Sequence, residues 1–163
     1  MELHQEIKTL AAQLGVILTD KRLWITTAES CTGGGGSYAL TDTPGSSGYL
    51  GRAFVTYSNE AKHELLNVAN TTLEQFGAVS EQTVKEMAFG AASVAKADVA
   101  VAISGIAGPG GATSDKPVGF VWFCIQIANE QFTFKQIFNG DRAQVRMQAI
   151  EFALKSTIEK IKL

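Results

Sequence analysis

The chain has 163 residues, of which 45% are hydrophobic and 18% are charged, and its formal net charge is −2. These values are typical of a soluble globular protein, and we expect a single domain over residues 1–163. The near-neutral charge, without a Lys/Arg run, argues against a nucleic-acid partner. No apolar run approaches the roughly 20 residues that cross a bilayer, so no membrane partner is expected either. Two cysteines, Cys31 and Cys124, are too few for a disulfide scaffold, which favours a cytoplasmic location.

The first half of the chain alternates helix and strand signals. Five apolar residues recur at helical spacing in the amino-terminal segment: Leu3, Ile7, Leu10, Ala11 and Leu14. Gly15 is expected to end this helix. Segment 23–28 predicts a strand, 37–41 a short helix that ends before Pro44, and 51–57 a second strand. Ser58 or Asn59 is expected to cap a helix that carries Lys62 in its first turn.

The second half predicts two more helices, a buried strand, a hairpin and a final helix. Thr71 and Glu74 resemble a capping box for a helix closed by Gly77, and Ser80 is expected to cap a longer helix. Segment 97–105 is apolar enough for a buried strand. Segments 118–128 and 132–138 predict a hairpin across 129–131, and Asp141 caps the last helix. We therefore predict an α/β fold, a single layered domain with a mixed, mostly parallel sheet flanked by helices.

The segment AESCTGGGGSYALT, residues 28–41, combines candidate nucleophiles with a glycine-rich turn between a strand and a helix. Backbone N–H groups at the amino end of a helix favour a phosphate or another anion. The alternative is a tight turn in which Ser30 or Thr32 only caps the helix. Cys31 is interpreted as a packing residue, because the only histidines are His4 and His63 and a cysteine nucleophile needs a partner base. The small number of histidine and cysteine residues also argues against a metal site.

Two further loops carry polar residues that suit a site at the carboxyl ends of strands. The second loop brings Ser46 and Ser47 near Tyr57 and Lys62 in the sequence. A lysine kept neutral by burial activates a serine hydroxyl, although serines in a PGSSG segment are more often turn formers. The third loop, SGIAGPGG, follows the buried strand at Ser104 and Gly105. Arg142 or Arg146, in the last helix, would hold a phosphate or remain solvated.

Five segments together resemble one known family. TTAESCTGG, GSSGYLGRAFVTYSNEAK, GAVSEQTV, SGIAGPGG…KPVGFVWF and GDRAQVRMQA are similar, in order and spacing, to the CinA carboxyl-terminal domain, the nicotinamide mononucleotide deamidase family. The resemblance covers the chain from about Leu3 to the end and is closest to the stand-alone form. It implies hydrolysis of nicotinamide mononucleotide to nicotinate mononucleotide and ammonia in pyridine-nucleotide recycling. It also implies a homo-oligomer that needs no metal or cofactor for this step.

The resemblance assigns roles to the candidate residues. Ser47 is the expected nucleophile, Ser46 its nearest rival and Ser30 a third candidate, with Tyr57 and Lys62 relaying or accepting the serine proton. Backbone N–H groups in 30–34 or 104–105 would stabilise the oxyanion or hold the phosphate. The expected substrate-binding residues are Thr32, Gly33, Gly34, Asn59, Ser104, Gly105 and Arg142.

One feature departs from the family pattern. A bulky apolar residue usually follows AESCTGG in the family, whereas Gly35 and Gly36 stand here, and each weakens a helix by about 1 kcal/mol relative to Ala. Two alternatives to the deamidase remain open. One is a non-catalytic nucleotide-binding or regulatory domain that keeps the pocket, and the other is a hydrolase of another small amide.

Overall fold

A five-stranded sheet forms the centre of the protein, and helices cover both of its faces. The computed structural model describes residues 2–162. The helices are α1 (Glu2–Lys21), α2 (Gly35–Thr41), α3 (Asn59–Leu66), α4 (Asn70–Phe76), α5 (Glu81–Ala95) and α6 (Arg142–Ile161). The strands are β1 (Ile25–Glu29), β2 (Phe54–Val55), β3 (Val99–Gly105), β4 (Phe120–Ile127) and β5 (Glu130–Ile137), and Ser46–Gly48 forms a 3₁₀ turn.

The strands lie in the order β2-β1-β3-β4-β5. β1 is parallel to both β2 and β3, whereas β4 is antiparallel to both β3 and β5. The predicted mixed sheet is confirmed, but the expectation that it is mostly parallel is wrong. Parallel neighbours need a crossover, which α2 to α5 provide in the first half of the chain. No helix lies between β3, β4 and β5, so these strands pair antiparallel.

The buried strand β3 supplies the two faces of the sheet with side chains of different size. Val99, Val101 and Ile103 pack in the cluster that includes α1 and α6. Ala100 and Ala102 pack on the other face, in the cluster that contains the buried residues of α5. Alternate residues of a strand point to opposite faces, so a run that is apolar throughout is buried on both sides. The small alanines let α5 lie close to the sheet.

Several predicted helix boundaries are confirmed, and the predicted end of α1 is wrong. The side chains of Ser58, Ser80 and Asp141 cap α3, α5 and α6, and Asp141 forms a full capping box with Gln144. Gly15, by contrast, lies inside α1 rather than at its end. A Cβ on Gly15 would stand 2.5 Å from the phenol oxygen of Tyr49. The glycine is therefore explained by close packing and not by helix termination.

Three other local predictions need correction. Thr71 and Glu74 do not cap α4, which starts after Ala69; the carboxylate of Glu86 in α5 accepts the Ala69 N–H at 2.8 Å instead. The hairpin turn is Ala128–Asn129, because Ile127 pairs directly with Glu130. The strand expected over 51–57 is only Phe54–Val55, since the chain then turns to the cap of α3. Within residues 2–162, no helix has both the length and the apolarity to cross a membrane.

Candidate active site

The candidate site lies where the parallel strands β1 and β3 end side by side. Ser30 directly follows β1, Ser104 and Gly105 end β3, and the Ser30 N–H donates to the Ile103 carbonyl at 3.0 Å. A cavity of about 270 Å³ opens there. Seven of the predicted site residues line it: Ser30, Tyr57, Asn59, Lys62, Ser104, Gly105 and Arg142. A larger groove, of about 700 Å³, lies along α5 and contains none of the predicted site residues.

Lys62 is the most deeply buried charged side chain that reaches this cavity, with 1% of its surface exposed. The Ser58 cap starts α3 one turn earlier and so points Lys62, together with Leu66, towards the protein interior. Lys62 Nζ donates to Ser30 Oγ at 3.2 Å and to the Thr56 carbonyl at 3.0 Å. Burial lowers the pKa of Lys62. The amine is thereby shifted towards its neutral form beside a serine hydroxyl.

Glu29 holds the turn that carries Ser30, and this residue was missed in the sequence. Its side chain is fully buried and accepts four hydrogen bonds. Oε1 accepts from Thr32 Oγ1 at 2.6 Å and from the Gly36 N–H at 2.8 Å. Oε2 accepts from Thr27 Oγ1 at 3.0 Å and from the Ser37 N–H at 3.0 Å. The available signal was an acidic residue at the end of a β-branched strand; a buried carboxylate is rare unless it is fully hydrogen-bonded.

The glycine run is shaped by tight packing around this carboxylate. A Cβ on Gly36 would stand 3.1 Å from both carboxylate oxygens of Glu29, and one on Gly35 would stand 2.5 Å from Ile150 Cδ1. Gly33 and Gly34 have φ angles of 60° and 95°, in the left-handed region that glycine adopts readily. Neither Gly33 nor Gly34 lines the cavity. Both residues form the turn that follows Ser30.

Arg142 and Tyr57 join three loops at the mouth of the cavity. Arg142 Nη2 donates to the Tyr57 hydroxyl at 2.8 Å, and Nη1 donates to the Gly108 carbonyl at 2.8 Å. Tyr57 is 59% exposed, so its ring is accessible from the cavity opening. The guanidinium has five N–H donors, and the remaining ones are available to a ligand.

Ser46 and Ser47 are placed away from Lys62. They lie in the 3₁₀ turn, where the Tyr49 carbonyl accepts the N–H of Ile25 at 2.8 Å. This turn is therefore beside the first residue of β1, whereas Ser30 follows the last. At about 3.3 Å per residue, the five-residue strand separates the two ends by roughly 16 Å. Sequence proximity to Tyr57 suggested a common cleft, but the direction of β1 separates these serines from the cavity.

Thr32 and Cys31 have structural roles in the turn. Thr32 does not line the cavity, and its hydroxyl is bound to Glu29. Cys31 lines it but is buried, and burial, assisted by the negative charge of Glu29, raises the pKa of its thiol to about 11. A thiol with that pKa is a poor nucleophile at neutral pH. Among residues 2–162, no group of three His, Cys, Asp or Glu residues is arranged to hold a metal ion.

Comparison with known proteins assigns the chain to a family. Residues 7–161 match the sequence profile described as the CinA C-terminal domain. The chain belongs to the CinA C-terminal domain family. It is 52% identical over 158 residues to nicotinamide-nucleotide amidohydrolase PncC of Enterobacter agglomerans, with 96% of each chain covered. It is 51% identical over 152 residues to the PncC of Escherichia coli strain K12, covering 93% of this chain and 92% of that one.

Solved structures of the CinA superfamily share the whole fold. The competence/damage inducible protein CihA from Agrobacterium tumefaciens superposes with a TM-score of 0.93 at 39% identity, covering 97% of this chain and 96% of that one. A CinA superfamily protein from Escherichia coli gives a TM-score of 0.92 at 39% identity, with 94% and 90% covered. The mixed five-stranded sheet and its flanking helices are thus the family architecture.

Proposed function

We propose that this protein hydrolyses the carboxamide of nicotinamide mononucleotide to nicotinate mononucleotide and ammonia, with Ser30 as nucleophile and Lys62 as base. The observation that carries the proposal is the 3.2 Å contact between Lys62 Nζ and Ser30 Oγ at the edge of the cavity. Two relatives named nicotinamide-nucleotide amidohydrolase, each more than 50% identical over almost the whole chain, support the substrate. We further propose that the whole chain acts as one amidohydrolase domain.

The proposed reaction has two stages. Neutral Lys62 accepts the proton of Ser30 as Oγ attacks the carboxamide carbon, and the protonated amine returns that proton to the leaving nitrogen, which departs as ammonia. A water then attacks the acyl-serine ester and gives its proton to Lys62. The ester bond breaks, Ser30 recovers the proton, and the acid is released. The lowered pKa of Lys62 supports this role, because only the neutral amine is a base.

The cavity offers groups for the developing charge and for the phosphate. The N–H of Cys31, the residue after the proposed nucleophile, donates to no oxygen acceptor among residues 2–162 and is a candidate for the oxyanion. In this proposal Arg142, at the mouth, binds the phosphate with its remaining donors, and the pyridinium stacks on the exposed ring of Tyr57. Asn59, Ser104 and Gly105 line the space between them.

Ammonia release from nicotinamide mononucleotide by three single variants tests the proposal. Ser30→Ala and Lys62→Met should each lower kcat by about 10³-fold or more. Ser47→Ala is the matched control, because this exposed serine lies at the far end of β1; it should stay within about twofold of wild type. Full activity of Ser30→Ala with loss in Ser47→Ala would reverse the assignment of the nucleophile.

The same assay separates the alternatives. A non-catalytic domain that keeps the pocket would bind nicotinamide mononucleotide without releasing ammonia, even at enzyme concentrations comparable to the substrate. A hydrolase of another small amide would release ammonia only from other amides. The implied homo-oligomer and the cytoplasmic location stay predictions. Light scattering on the purified protein tests the first, and cell fractionation tests the second.

A further inference from the structure

A second cavity lies on the other side of the turn that carries Ser30. It has a volume of about 300 Å³ and is enclosed by α1, α2 and α6. Ile7, Ala39, Met147 and Ile150 give it mainly apolar walls. Gly35 also lines it, and any side chain at that position would displace Ile150 or fill the space. We call this cavity, with the walls just described, the α1–α2–α6 pocket. Its volume is at the lower end of the range for small-molecule sites.

The positively charged side chain of Arg146 in the pocket wall favours an anionic ligand. Arg146 is half-buried in its wall and donates from Nε to the Cys31 carbonyl at 3.0 Å and from Nη2 to the Thr32 carbonyl at 3.4 Å. Both partners are neutral, and no carboxylate of residues 2–162 lies within 4.0 Å of the guanidinium. Asp42, on the rim, faces Lys8 at 4.0 Å, and His4 and Tyr38 are the remaining titratable groups of the lining. The pocket therefore has an excess of positive charge, centred on Arg146.

We propose that the α1–α2–α6 pocket binds a small monocarboxylate with an apolar body, its carboxylate on Arg146 and its body against Ile7, Met147 and Ile150. A guanidinium binds a carboxylate through two parallel hydrogen bonds, and Nη1 of Arg146 makes no bond to residues 2–162. At the packing density of a protein interior, a cavity of this size accommodates an aromatic or branched acid of about ten to fifteen non-hydrogen atoms. An amine of the same shape is disfavoured by Arg146 and Lys8.

The pocket is coupled to the candidate active site through one turn of the chain. Ser30 and Cys31 line the active-site cavity, and the next residue, Thr32, lines the pocket. Arg146 holds the carbonyls of Cys31 and Thr32, so a carboxylate that draws the guanidinium into the pocket weakens both bonds. Occupancy should therefore lower kcat for deamidation without competing with the substrate. This effect on the rate rests on the proposed function, whereas binding in the pocket does not.

Calorimetric titration of the wild-type protein with 3-phenylpropionate tests the site, with 3-phenyl-1-propanol as the uncharged analogue. The acid should bind with a Kd of about 1 mM or below, and at least tenfold more tightly than the alcohol. Ala143→Phe places a ring at the rim from an exposed helix position and should weaken binding at least tenfold, with Ala143→Leu intermediate. Ala12→Phe is the matched control on an exposed position of α1 outside the pocket, and should bind like wild type.

Several results would overturn the proposal. These are no binding at about 10 mM acid, equal binding of acid and alcohol, unchanged binding by Ala143→Phe, or displacement of the acid by nicotinamide mononucleotide. If a second copy of the chain fills the pocket instead, Ala143→Phe will change the mass measured by light scattering and the acid will not bind. Binding without any fall in kcat overturns the coupling through Arg146. Absence of ammonia release from the untreated enzyme refutes the proposed function and leaves the binding result intact.

Discussion

Replacement of Glu29 by Gln should destabilise the protein, because each of the two carboxylate oxygens of Glu29 accepts hydrogen bonds from two donors. The Gly36 N–H binds Oε1, and the Ser37 N–H binds Oε2. Gln keeps one carbonyl oxygen and replaces the other by an NH₂ group, which cannot accept a hydrogen bond. The hydroxyls of Thr27 and Thr32 can rotate and accept from that NH₂. The backbone N–H groups cannot, so either side-chain flip leaves one of them buried and facing a donor.

The magnitude follows from this one lost contact. A hydrogen bond to a charged acceptor contributes about 1.5–3 kcal/mol, and the remaining bonds weaken when the acceptor becomes neutral. The lower desolvation penalty of a neutral amide offsets part of the loss. We expect the free energy of unfolding to fall by about 2 kcal/mol, with a Tm lower by roughly 4–8 °C for a domain of this size.

Urea unfolding followed by circular dichroism measures this change, and the chain supplies a matched control. Glu86 accepts one backbone N–H, from Ala69, on Oε1 and the hydroxyl of Thr72 on Oε2. Gln satisfies both, through its carbonyl oxygen and its NH₂, so Glu86→Gln should change the free energy of unfolding by less than about 1 kcal/mol. Equal destabilisation by Glu29→Gln and Glu86→Gln would refute the argument from the two backbone donors.

Four further results are expected. Burial lowers the pKa of Lys62, so kcat/KM should rise with pH through a pKa below the ordinary lysine value of 10.5, and Lys62→Met should lose this ionisation in rate measurements across pH. Because its lysine pKa is not lowered, the unfolded chain binds the proton of Lys62 more tightly than the folded protein does. The free energy of unfolding of wild type relative to Lys62→Met should therefore increase with pH between the lowered pKa and 10.5, as urea titrations across pH would show. Gly15→Ala should lower the free energy of unfolding by about 1–3 kcal/mol despite the better helix propensity of Ala, because the new Cβ meets the Tyr49 phenol oxygen. Adding Tyr49→Phe to the Gly15→Ala variant should recover part of this loss. Full wild-type stability of Gly15→Ala would contradict the close packing of Tyr49 on Gly15. Arg142→Ala should raise KM for nicotinamide mononucleotide roughly tenfold or more with a smaller effect on kcat, whereas an unchanged KM would argue against phosphate binding at the cavity mouth.

Local features of the fold were predictable because they depend on neighbouring residues. The apolar run of β3 and the polar caps Ser58, Ser80 and Asp141 fix elements through periodicity and short-range hydrogen bonds. Predictions from local sequence patterns were wrong where a contact with a residue distant in the sequence determined the structure. Gly15 resembles a helix stop in the sequence, but it lies inside α1, and the packing of Tyr49 against it explains why a residue without a Cβ stands there.

The position of the proposed nucleophile also depends on tertiary structure. In the sequence, Ser47 is 15 residues from Lys62 and Ser30 is 32 residues away, so proximity along the chain favoured Ser47. The parallel pairing of β1 with β3 places Ser30 at the carboxyl edge of the sheet, where α3 directs Lys62. A strand moves the chain about 3.3 Å per residue, so the two serines lie near opposite ends of β1.

The sequence by itself determined the family, the strand–turn–helix at residues 25–41 and seven of the residues that line the cavity, because these follow from local patterns and from motif order. Only the tertiary structure decided which serine meets Lys62 and why an acid precedes Ser30. Glu29 is tolerated in the interior because β1, the turn and the start of α2 together supply four donors. The four consecutive glycines, Gly33 to Gly36, permit that turn and the close approach of the Glu29 carboxylate to α2.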